Sequence, residues 1–337
     1  MEPNISQVDD TLLSWDDIAA RNWSGMLLGN GASRSLWEDF KYSSLYEAAK
    51  SSDITNPLTA QDQDIFEEFE TTNFEKVLSA LATSIAVCNV LNLDSAPIKE
   101  RYVNVQRALF QAVHLLHITW RDEEAEKYSE IRNHIRKYKT IFSTNYDLLL
   151  YWSIMSYEGM GFKDYFFSEE FDILDTEIWG NESVILYLHG GIHLAKRTSS
   201  GATVKRRASE GLNLLQSLDF DTYEGLVPLF VTEGKSHDKL YSIYRSDYLS
   251  FAYQKLIQHR ESLLIFGHGL DEESDDHLVR AINSWGEKRI AVSIFPAPPR
   301  EIVNTKADLC RRLPHAELLF YDHTTHPMGV PEMKVTP

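Results

Sequence analysis

Four short apolar runs of this sequence each lead into residues of types that bind nucleotides or move protons. The runs cover residues 25–33, 139–147, 183–191 and 262–271. Because most of their apolar residues are consecutive rather than alternating, they predict strands buried on both faces of a parallel sheet. Ligands bind beyond the carboxyl ends of such strands, so we expect one crevice lined by residues from all four runs. These residues are Gly29, Asn30, Gly31, Ser33, Thr144, Asn145, Asp147, His189, Gly267, His268 and Asp271.

Asn145 and His189 are the candidates for catalysis. An asparagine side chain donates and accepts hydrogen bonds at once, which suits a ribose or a positioned water. A histidine titrates near neutrality and can take a proton from a hydroxyl, and Gly190 and Gly191 leave space beside His189. A buried core imidazole is the alternative for His189. A metal site shared with His193 is disfavoured, because two glycines interrupt the helix that a zinc-protease motif needs.

The remaining candidates suit nucleotide binding. Gly29 and Gly31 allow a tight turn before a helix whose first amides can meet a pyrophosphate, although a plain tight turn explains them equally well. The third glycine of the usual dinucleotide fingerprint is missing. Asp147 orients neighbouring groups or caps a helix. Asp271, with the acidic residues at 275 and 276, either contacts an adenosine or caps a helix.

The rest of the sequence predicts an α/β fold in one domain, residues 1–337. Further strands are predicted at 226–234, 289–298 and 316–323, and helices at 33–50, 246–260 and 274–288 separate the runs. Residues 60–138 show helical spacing without a strand pattern. They predict a helical insertion within a Rossmann-like parallel sheet.

Composition excludes several classes of protein. A net charge of −17 argues against a general nucleic-acid surface. With only Cys88 and Cys310, the chain can form neither a disulfide framework nor a four-cysteine zinc site, which fits a reducing cytoplasm. We find no signal peptide, and no apolar run approaches the roughly 20 residues that span a bilayer. The pairs His114/His117 and His323/His326 lack an evident third ligand, so no bound zinc or other metal is expected.

The order of the motifs resembles that of sirtuins. Sirtuins carry Gly-Ala-Gly-x-Ser, then Thr-x-Asn-x-Asp, then a catalytic His-Gly, then a glycine-containing strand end. Here the order is "GNGAS", "TNYD", "HG" and "FGHGLDEESDDHL". Asn30 stands where alanine is usual, and "GHG" replaces Gly-Thr-Ser or Gly-Ser-Ser. The four cysteines of the deacylases' zinc ribbon are missing. The resemblance implies the sirtuin type of Rossmann-like fold and NAD as substrate.

This version of the motifs is most similar to bacterial sirtuin-like anti-phage defence proteins. That resemblance implies an NAD glycohydrolase that cleaves NAD to nicotinamide and ADP-ribose and depletes the cell's NAD, an abortive-infection response. It implies that Asn145 orients the ribose or the attacking water, that His189 accepts a proton, and that Gly29, Gly31 and Ser33 hold the pyrophosphate. It also implies a homo-oligomer, with a separate HerA-type hexameric ATPase as a partner, as in the Nezha system. The alternatives are a sirtuin-like deacylase, an ADP-ribosyltransferase, or a non-catalytic NAD or ADP-ribose sensor.

Overall fold

The protein folds around a parallel sheet of seven strands, with a second, antiparallel sheet of three. The computed structural model describes residues 8–117, 125–155, 160–178, 182–207, 214, 225–232, 234–284 and 286–335. The strands are β1 (Gly25–Leu28), β2 (Thr140–Ser143), β3 (Phe162–Lys163), β4 (Ser183–Tyr187), β5 (Gly190–Arg197), β6 (Thr203–Lys205), β7 (Leu226–Phe230), β8 (Leu263–Phe266), β9 (Lys288–Ile294) and β10 (Ala316–Asp322).

The order of strands in the large sheet is β10-β9-β8-β1-β2-β4-β3. From β1 the chain moves outward through β2 to β4, and it later returns to place β8 on the opposite side of β1. The point where the direction reverses therefore lies between β1 and β8, and in open α/β sheets this is where a ligand crevice forms. The small sheet has the order β6-β5-β7 and begins directly after β4.

Helices precede, separate and follow the strands. They are α1 (Trp15–Ala19), α2 (Asn30–Leu36), α3 (Tyr42–Ala49), α4 (Ala60–Glu68), α5 (Phe74–Leu91), α6 (Ala96–Leu116), α7 (Ala125–Ile135), α8 (Leu149–Met155), α9 (Ser236–Tyr244), α10 (Asp247–Gln258), α11 (Asp276–Asn283) and α12 (Pro299–Arg312). The helices α4, α5 and α10 begin with a side chain that accepts a hydrogen bond from a backbone N–H of the first turn. The hydroxyl of Ser246, for example, accepts a hydrogen bond from Leu249 N at 3.2 Å at the start of α10.

The predicted α/β fold with a parallel sheet is confirmed, and each of the seven predicted runs contains a strand. Strand β7 lies in the small antiparallel sheet rather than in the large one. The prediction missed β3, β5 and β6. In the described part of residues 60–138 the chain forms the helices α4 to α7, between α3 and β2.

The core centres on β1 and β8. Met26, Leu27, Leu264 and Ile265 have no exposed surface, as expected for central strands covered on both faces. The loops that follow these buried strands all start from one edge of the sheet.

One helix of the described chain, α5, is long and apolar enough by length and composition to cross a membrane, and 28% of that stretch is buried. Core helices of soluble proteins meet the same two criteria. Its first half packs into the core, where Phe74, Val77 and Leu78 have no exposed surface. Its far end exposes Val90 and Leu91 at 80% and 61%. The helix is therefore buried in its first half and carries an uncovered apolar tip.

Candidate active site

The register of the sheet brings the four predicted clusters side by side. Leu28 at the end of β1 pairs with Ser143 of β2 and with Phe266 of β8. Ser143 in turn pairs with Tyr187 of β4. Four polar residues lie two positions beyond these ends, on neighbouring strands at the reversal point. They are Asn30, Asn145, His189 and His268.

The side chain of Asn145 is held by two other predicted residues. Its Nδ2 lies 2.8 Å from Ser33 Oγ, and the Ser33 hydroxyl donates to Asp147 Oδ2 at 2.5 Å. Because the single hydroxyl proton of Ser33 goes to the carboxylate, Ser33 Oγ can only accept from Asn145. The amide orientation is therefore fixed, with Nδ2 toward Ser33. Asn145 Oδ1 is buried and has no hydrogen-bond partner within the described part of the chain.

Asp147 is the anchor of this group. It is buried, and its Oδ1 accepts from Leu149 N at 2.9 Å, so it also caps α8 as the sequence allowed. Burial raises the pKa of Asp147, while the hydrogen bonds from Ser33 and from the Leu149 amide lower it. Thr144 has a different task, since its backbone N and its hydroxyl both donate to Leu28 O and tie β2 to β1.

The two glycine-containing loops pack directly against each other. Gly31 N donates to Gly267 O at 2.8 Å, and a Cβ on Gly29 or Gly31 would lie 2.6 or 2.8 Å from atoms of Gly267. Gly267 itself has φ +67°, and a Cβ there would lie 2.2 Å from Ala32 N. The close backbone approach that these glycines permit is therefore between β1 and β8, at the reversal point. Their contact with a pyrophosphate stays a prediction.

The buried imidazole of His323 links the same two loops through Ser293 and Ser35. Gly267 N donates to Ser293 Oγ at 2.9 Å, and Ser293 Oγ lies 3.2 Å from Nδ1 of His323. Nε2 of His323 lies 2.6 Å from Ser35 Oγ, whose proton goes to Gly31 O at 2.8 Å. Only one arrangement of protons satisfies this chain, with His323 protonated at Nε2. His323 thus holds the loops in place.

His189 faces a second histidine that the sequence did not bring forward. Its Nε2 lies 2.9 Å from Nε2 of His277, and the rings meet edge to edge, with centroids 5.2 Å apart and planes inclined by 28°. Nδ1 of His277 lies 3.1 Å from Ser236 Oγ. Burial, with Lys239 and the neighbouring histidines adding to it, holds the pKa of His189 well below 6.5. Burial likewise lowers the pKa of His277 to about 3. Both rings are therefore neutral at physiological pH, and the same burial disfavours their protonation.

Lys239 and two carboxylates form a buried ionic group beside the histidines. Lys239 Nζ lies 3.0 Å from Glu75 Oε2 and 3.3 Å from Asp275 Oδ1, and Lys239 is 2% exposed. Burial lowers the pKa of Lys239, but the attraction of Glu75 and Asp275 outweighs it and the net shift is upward. The group joins α5, which carries Glu75, to α9 and α11. The helical region between residues 60 and 138 is therefore attached to the site through a buried charge.

His268 and Asp271 differ in what they offer a ligand. His268 Nδ1 accepts from Leu270 N at 3.0 Å, so a neutral His268 carries its proton on Nε2 and presents a donor. Burial lowers the pKa of His268 and favours that neutral form. Asp271 Oδ1 accepts from the backbone amides of Glu273 and Ser274, which makes it a turn cap. Its contact with an adenosine stays a prediction.

The other predicted positions lie around this group. Asn30 is exposed at the start of α2, with Nδ2 3.4 Å from Phe40 O. His193 lies in β5 between the rings of Tyr151 and Tyr187, and burial lowers its pKa to about 3. Among the described residues, no group of three histidine, cysteine or carboxylate side chains is arranged to hold a metal.

Sequence reasoning missed the residues that surround His189. His277 lies in the segment "SDDHL", in which the sequence pattern indicates a role only for the acidic residues. Ser236, Lys239 and Glu75 have no local pattern that points to a site. Lys239 and Glu75 are separated by 164 positions, so only the folded chain brings them together.

The sequence from residue 26 to residue 328 matches a protein family described as a domain of unknown function, DUF4917. Similar solved structures include a Sir2 homologue mutant in complex with ADP-ribose, with 13% identity over 94% of this chain and 92% of that chain and a TM-score of 0.35. They also include a Sir2 homologue in complex with NAD, with 13% identity over 97% and 96% and the same TM-score. No curated protein matches the sequence. At this identity and TM-score, the likeness assigns no activity to the chain.

Proposed function

Since the chain belongs to the DUF4917 family, whose description names no function, we propose from its own site that it is an NAD glycohydrolase. The observation that carries the proposal is the arrangement of Asn145. Its Oδ1 is buried without a partner among the described residues, and Asn145 and His189 each lie two residues beyond the ends of the paired strands β2 and β4. A buried acceptor without a hydrogen bond costs about 1–3 kcal/mol of free energy. Such an atom is therefore typical of a site where a ligand supplies the missing hydrogen bond.

The geometry suits hydrolysis of an N-glycosidic bond. Ser33 and Asp147 fix the Asn145 amide, so Oδ1 can accept a hydrogen bond from the attacking water or from a ribose hydroxyl. His189, two residues beyond the end of β4, accepts the proton that the water loses as it adds to C1′ of the ribose. The bond between C1′ and the pyridinium nitrogen breaks, and its electron pair neutralises the departing nicotinamide. His268 offers an Nε2–H donor to an oxygen of the same substrate.

The order of the four motifs supports NAD rather than another nucleoside as the substrate. "GNGAS", "TNYD", "HG" and "GHGLD" follow the order found in sirtuins. With the missing zinc-ribbon cysteines, this order favours the glycohydrolase over a deacylase. A non-catalytic sensor would need neither a fixed Asn145 nor a neutral His189.

The same resemblance supports a role for the enzyme in anti-phage defence, acting in the cytoplasm on the cell's NAD pool. We include in the proposal that the enzyme assembles with copies of itself and with a HerA-type ATPase. The hairpin of α5 and α6 offers a surface for assembly, because Val87, Val90, Leu91 and Leu93 are each at least 50% exposed at its tip.

The proposed reaction is tested by incubating the purified protein with NAD and separating the products. We expect nicotinamide and ADP-ribose in equal amounts, with no change when an acetyl-lysine peptide is added. Transfer of ADP-ribose to protein, or acetylated ADP-ribose that forms only with the peptide, would refute the glycohydrolase in favour of a transferase or a deacylase. Intact NAD that remains bound would favour the sensor.

Assembly is tested separately, by sedimentation and NAD turnover over a range of protein concentrations, with and without the ATPase. Activity that rises with concentration or with the ATPase is expected if assembly completes the enzyme. A monomer whose specific activity is full at every concentration would rule it out.

A further inference from the structure

Three aromatic rings form a column that runs from the core to the surface at the carboxyl edge of the large sheet. The ring of His323 stacks on Phe266 with centroids 4.3 Å apart and planes inclined by 8°. It also stacks on Phe295 with centroids 4.0 Å apart and planes inclined by 23°. One face of an imidazole is too small for two phenyl rings at these distances, so Phe266 and Phe295 lie on opposite faces of His323. Phe266 has no exposed surface, whereas Phe295 is 50% exposed, so the column ends at the surface with the Phe295 ring.

The free face of Phe295 is the one that points away from His323. Within the described part of the chain, His323 is the only aromatic ring that stacks on Phe295. The supporting ring is itself held at both edges, because Ser35 Oγ lies 2.6 Å from its Nε2 and Ser293 Oγ lies 3.2 Å from its Nδ1. Phe295 therefore presents one uncovered aromatic face on a support that is fixed in place.

Phe295 continues the set of polar residues that lie just beyond the strand ends. Ile265 of β8 pairs with Val292 of β9, and three positions further along each chain lie His268 and Phe295. The position of Phe295 is thus next to that of His268, one strand further along the edge. Four strand spacings of about 4.8 Å separate it from His189, which follows β4. Phe295 and His189 therefore stand at opposite ends of the predicted crevice.

The topology indicates which part of a dinucleotide would reach Phe295. In sheets of this kind a dinucleotide lies across the reversal point, with one nucleoside on each side. Asn145 and His189 follow β2 and β4 on one side of the point between β1 and β8, and Phe295 follows β9 on the other side. With the nicotinamide ribose at Asn145 and His189, the adenosine falls on the side of Phe295. Adenine is a planar aromatic base, and such bases stack on exposed aromatic side chains.

We propose that Phe295 is the stacking platform for the adenine ring of NAD, supported from the core by His323 and Phe266. The assignment rests on the proposed NAD cleavage for the orientation of the dinucleotide. ADP-ribose retains the adenine, so its binding tests the platform without any cleavage. Stacking tolerates any planar base. The platform therefore selects a dinucleotide over nicotinamide mononucleotide, which has no second base, rather than one second base over another.

The first measurement is calorimetric titration of the purified full chain with ADP-ribose. Phe295→Ala removes the ring, and we expect Kd to rise at least about 5-fold, the lower end of what loss of one base-stacking side chain causes. Phe295→Tyr keeps the ring and should keep the wild-type Kd. Phe69→Ala is the matched control, because Phe69 is 53% exposed at the end of α4 and should not change Kd.

The second measurement compares two substrates of the active enzyme. Phe295→Ala should raise KM for NAD and leave kcat little changed, because the ring lies four strands away from His189 and contributes equally to substrate and transition-state binding. The ratio of kcat/KM for NAD to kcat/KM for nicotinamide mononucleotide should therefore fall by the same factor as the affinity for ADP-ribose. Damage to the structure of the site would lower both values of kcat/KM and leave the ratio unchanged.

The outcomes separate this platform from the proposed reaction. The same Kd for ADP-ribose in the wild-type protein and in Phe295→Ala, or no binding by the wild-type protein at high concentration, would overturn the platform; nicotinamide release would still decide the glycohydrolase. Binding that depends on the Phe295 ring, in a protein that releases no nicotinamide, would support the platform and refute the glycohydrolase. If Phe295→Ala does not fold, Phe295→Leu gives the same decision, because leucine covers His323 but offers no aromatic face.

Discussion

Replacing Gly267 by alanine tests whether the contact between the two glycine loops supports the site. Gly267 has φ +67°, a left-handed conformation that costs a non-glycine residue about 1–2 kcal/mol. The new Cβ would also lie 2.2 Å from Ala32 N, which is backbone and cannot swing away. Relieving such a clash typically costs about 1–3 kcal/mol more. We therefore expect Gly267→Ala to lower the free energy of unfolding by about 2–5 kcal/mol.

The assay is urea unfolding followed by circular dichroism. With a slope of about 3 kcal/mol per molar urea for a chain of this size, the midpoint should fall by about 1 M. Gly269→Ala is the matched control two positions away, because a Cβ there would meet nothing within 4 Å. It should leave the midpoint unchanged. Equal midpoints for the two variants would refute the argument that the loops pack through their glycines.

Three further predictions concern charge and metal. Burial lowers the pKa values of His134 and His323 to about 4. Between pH 6.5 and 5 the unfolded chain therefore binds protons that the folded chain does not, and we expect the free energy of unfolding to fall by about 2 kcal/mol for each such histidine. Equal urea midpoints at the two pH values would contradict this. Lys239→Met leaves the carboxylates of Glu75 and Asp275 without their shared cation and should lower the free energy of unfolding by about 3–5 kcal/mol. The control Lys235→Met removes an exposed lysine and should not change it measurably. A thermal or urea transition that is the same in both variants would refute the stabilising role of the buried ionic group. Elemental analysis should find well under one zinc per chain, and one zinc per chain would show that a site has been overlooked.

The parts of the fold that could be predicted are those with a local cause. Consecutive apolar residues at 263–266 or 183–187 are buried on both faces wherever the strand is placed in the sheet, so the runs alone identified them. Strand β5 begins with Gly190 and Gly191 and ends with Lys196 and Arg197, residue types that are typical of loops. It forms because β7 and β6 pair with it on either side, which no local pattern encodes.

In the candidate site, too, only the residues with a local sequence pattern could be predicted. Asn145 and His189 could be identified because each follows a strand end, and the register then places them on adjacent strands. Their partners could not be identified, since Ser33 reaches Asn145 across 112 positions and His277 reaches His189 across 88. His323, which the sequence pairs with His326 but without a third metal ligand, bridges Ser35 and Ser293.

The most direct measurement of the central claim is the rate of nicotinamide release from NAD by the wild-type protein and by Asn145→Ala, on preparations whose circular dichroism spectra agree. Asn304→Ala is the control, because Asn304 is exposed on α12. We predict release by the wild-type protein and by Asn304→Ala, and a loss of at least about 100-fold in Asn145→Ala, the size of effect seen when a preorganised polar group is removed from an active site. Release by a well-folded Asn145→Ala at the wild-type rate, or none by any of the three proteins at high protein concentration with the ATPase present, would contradict the claim that this site cleaves NAD.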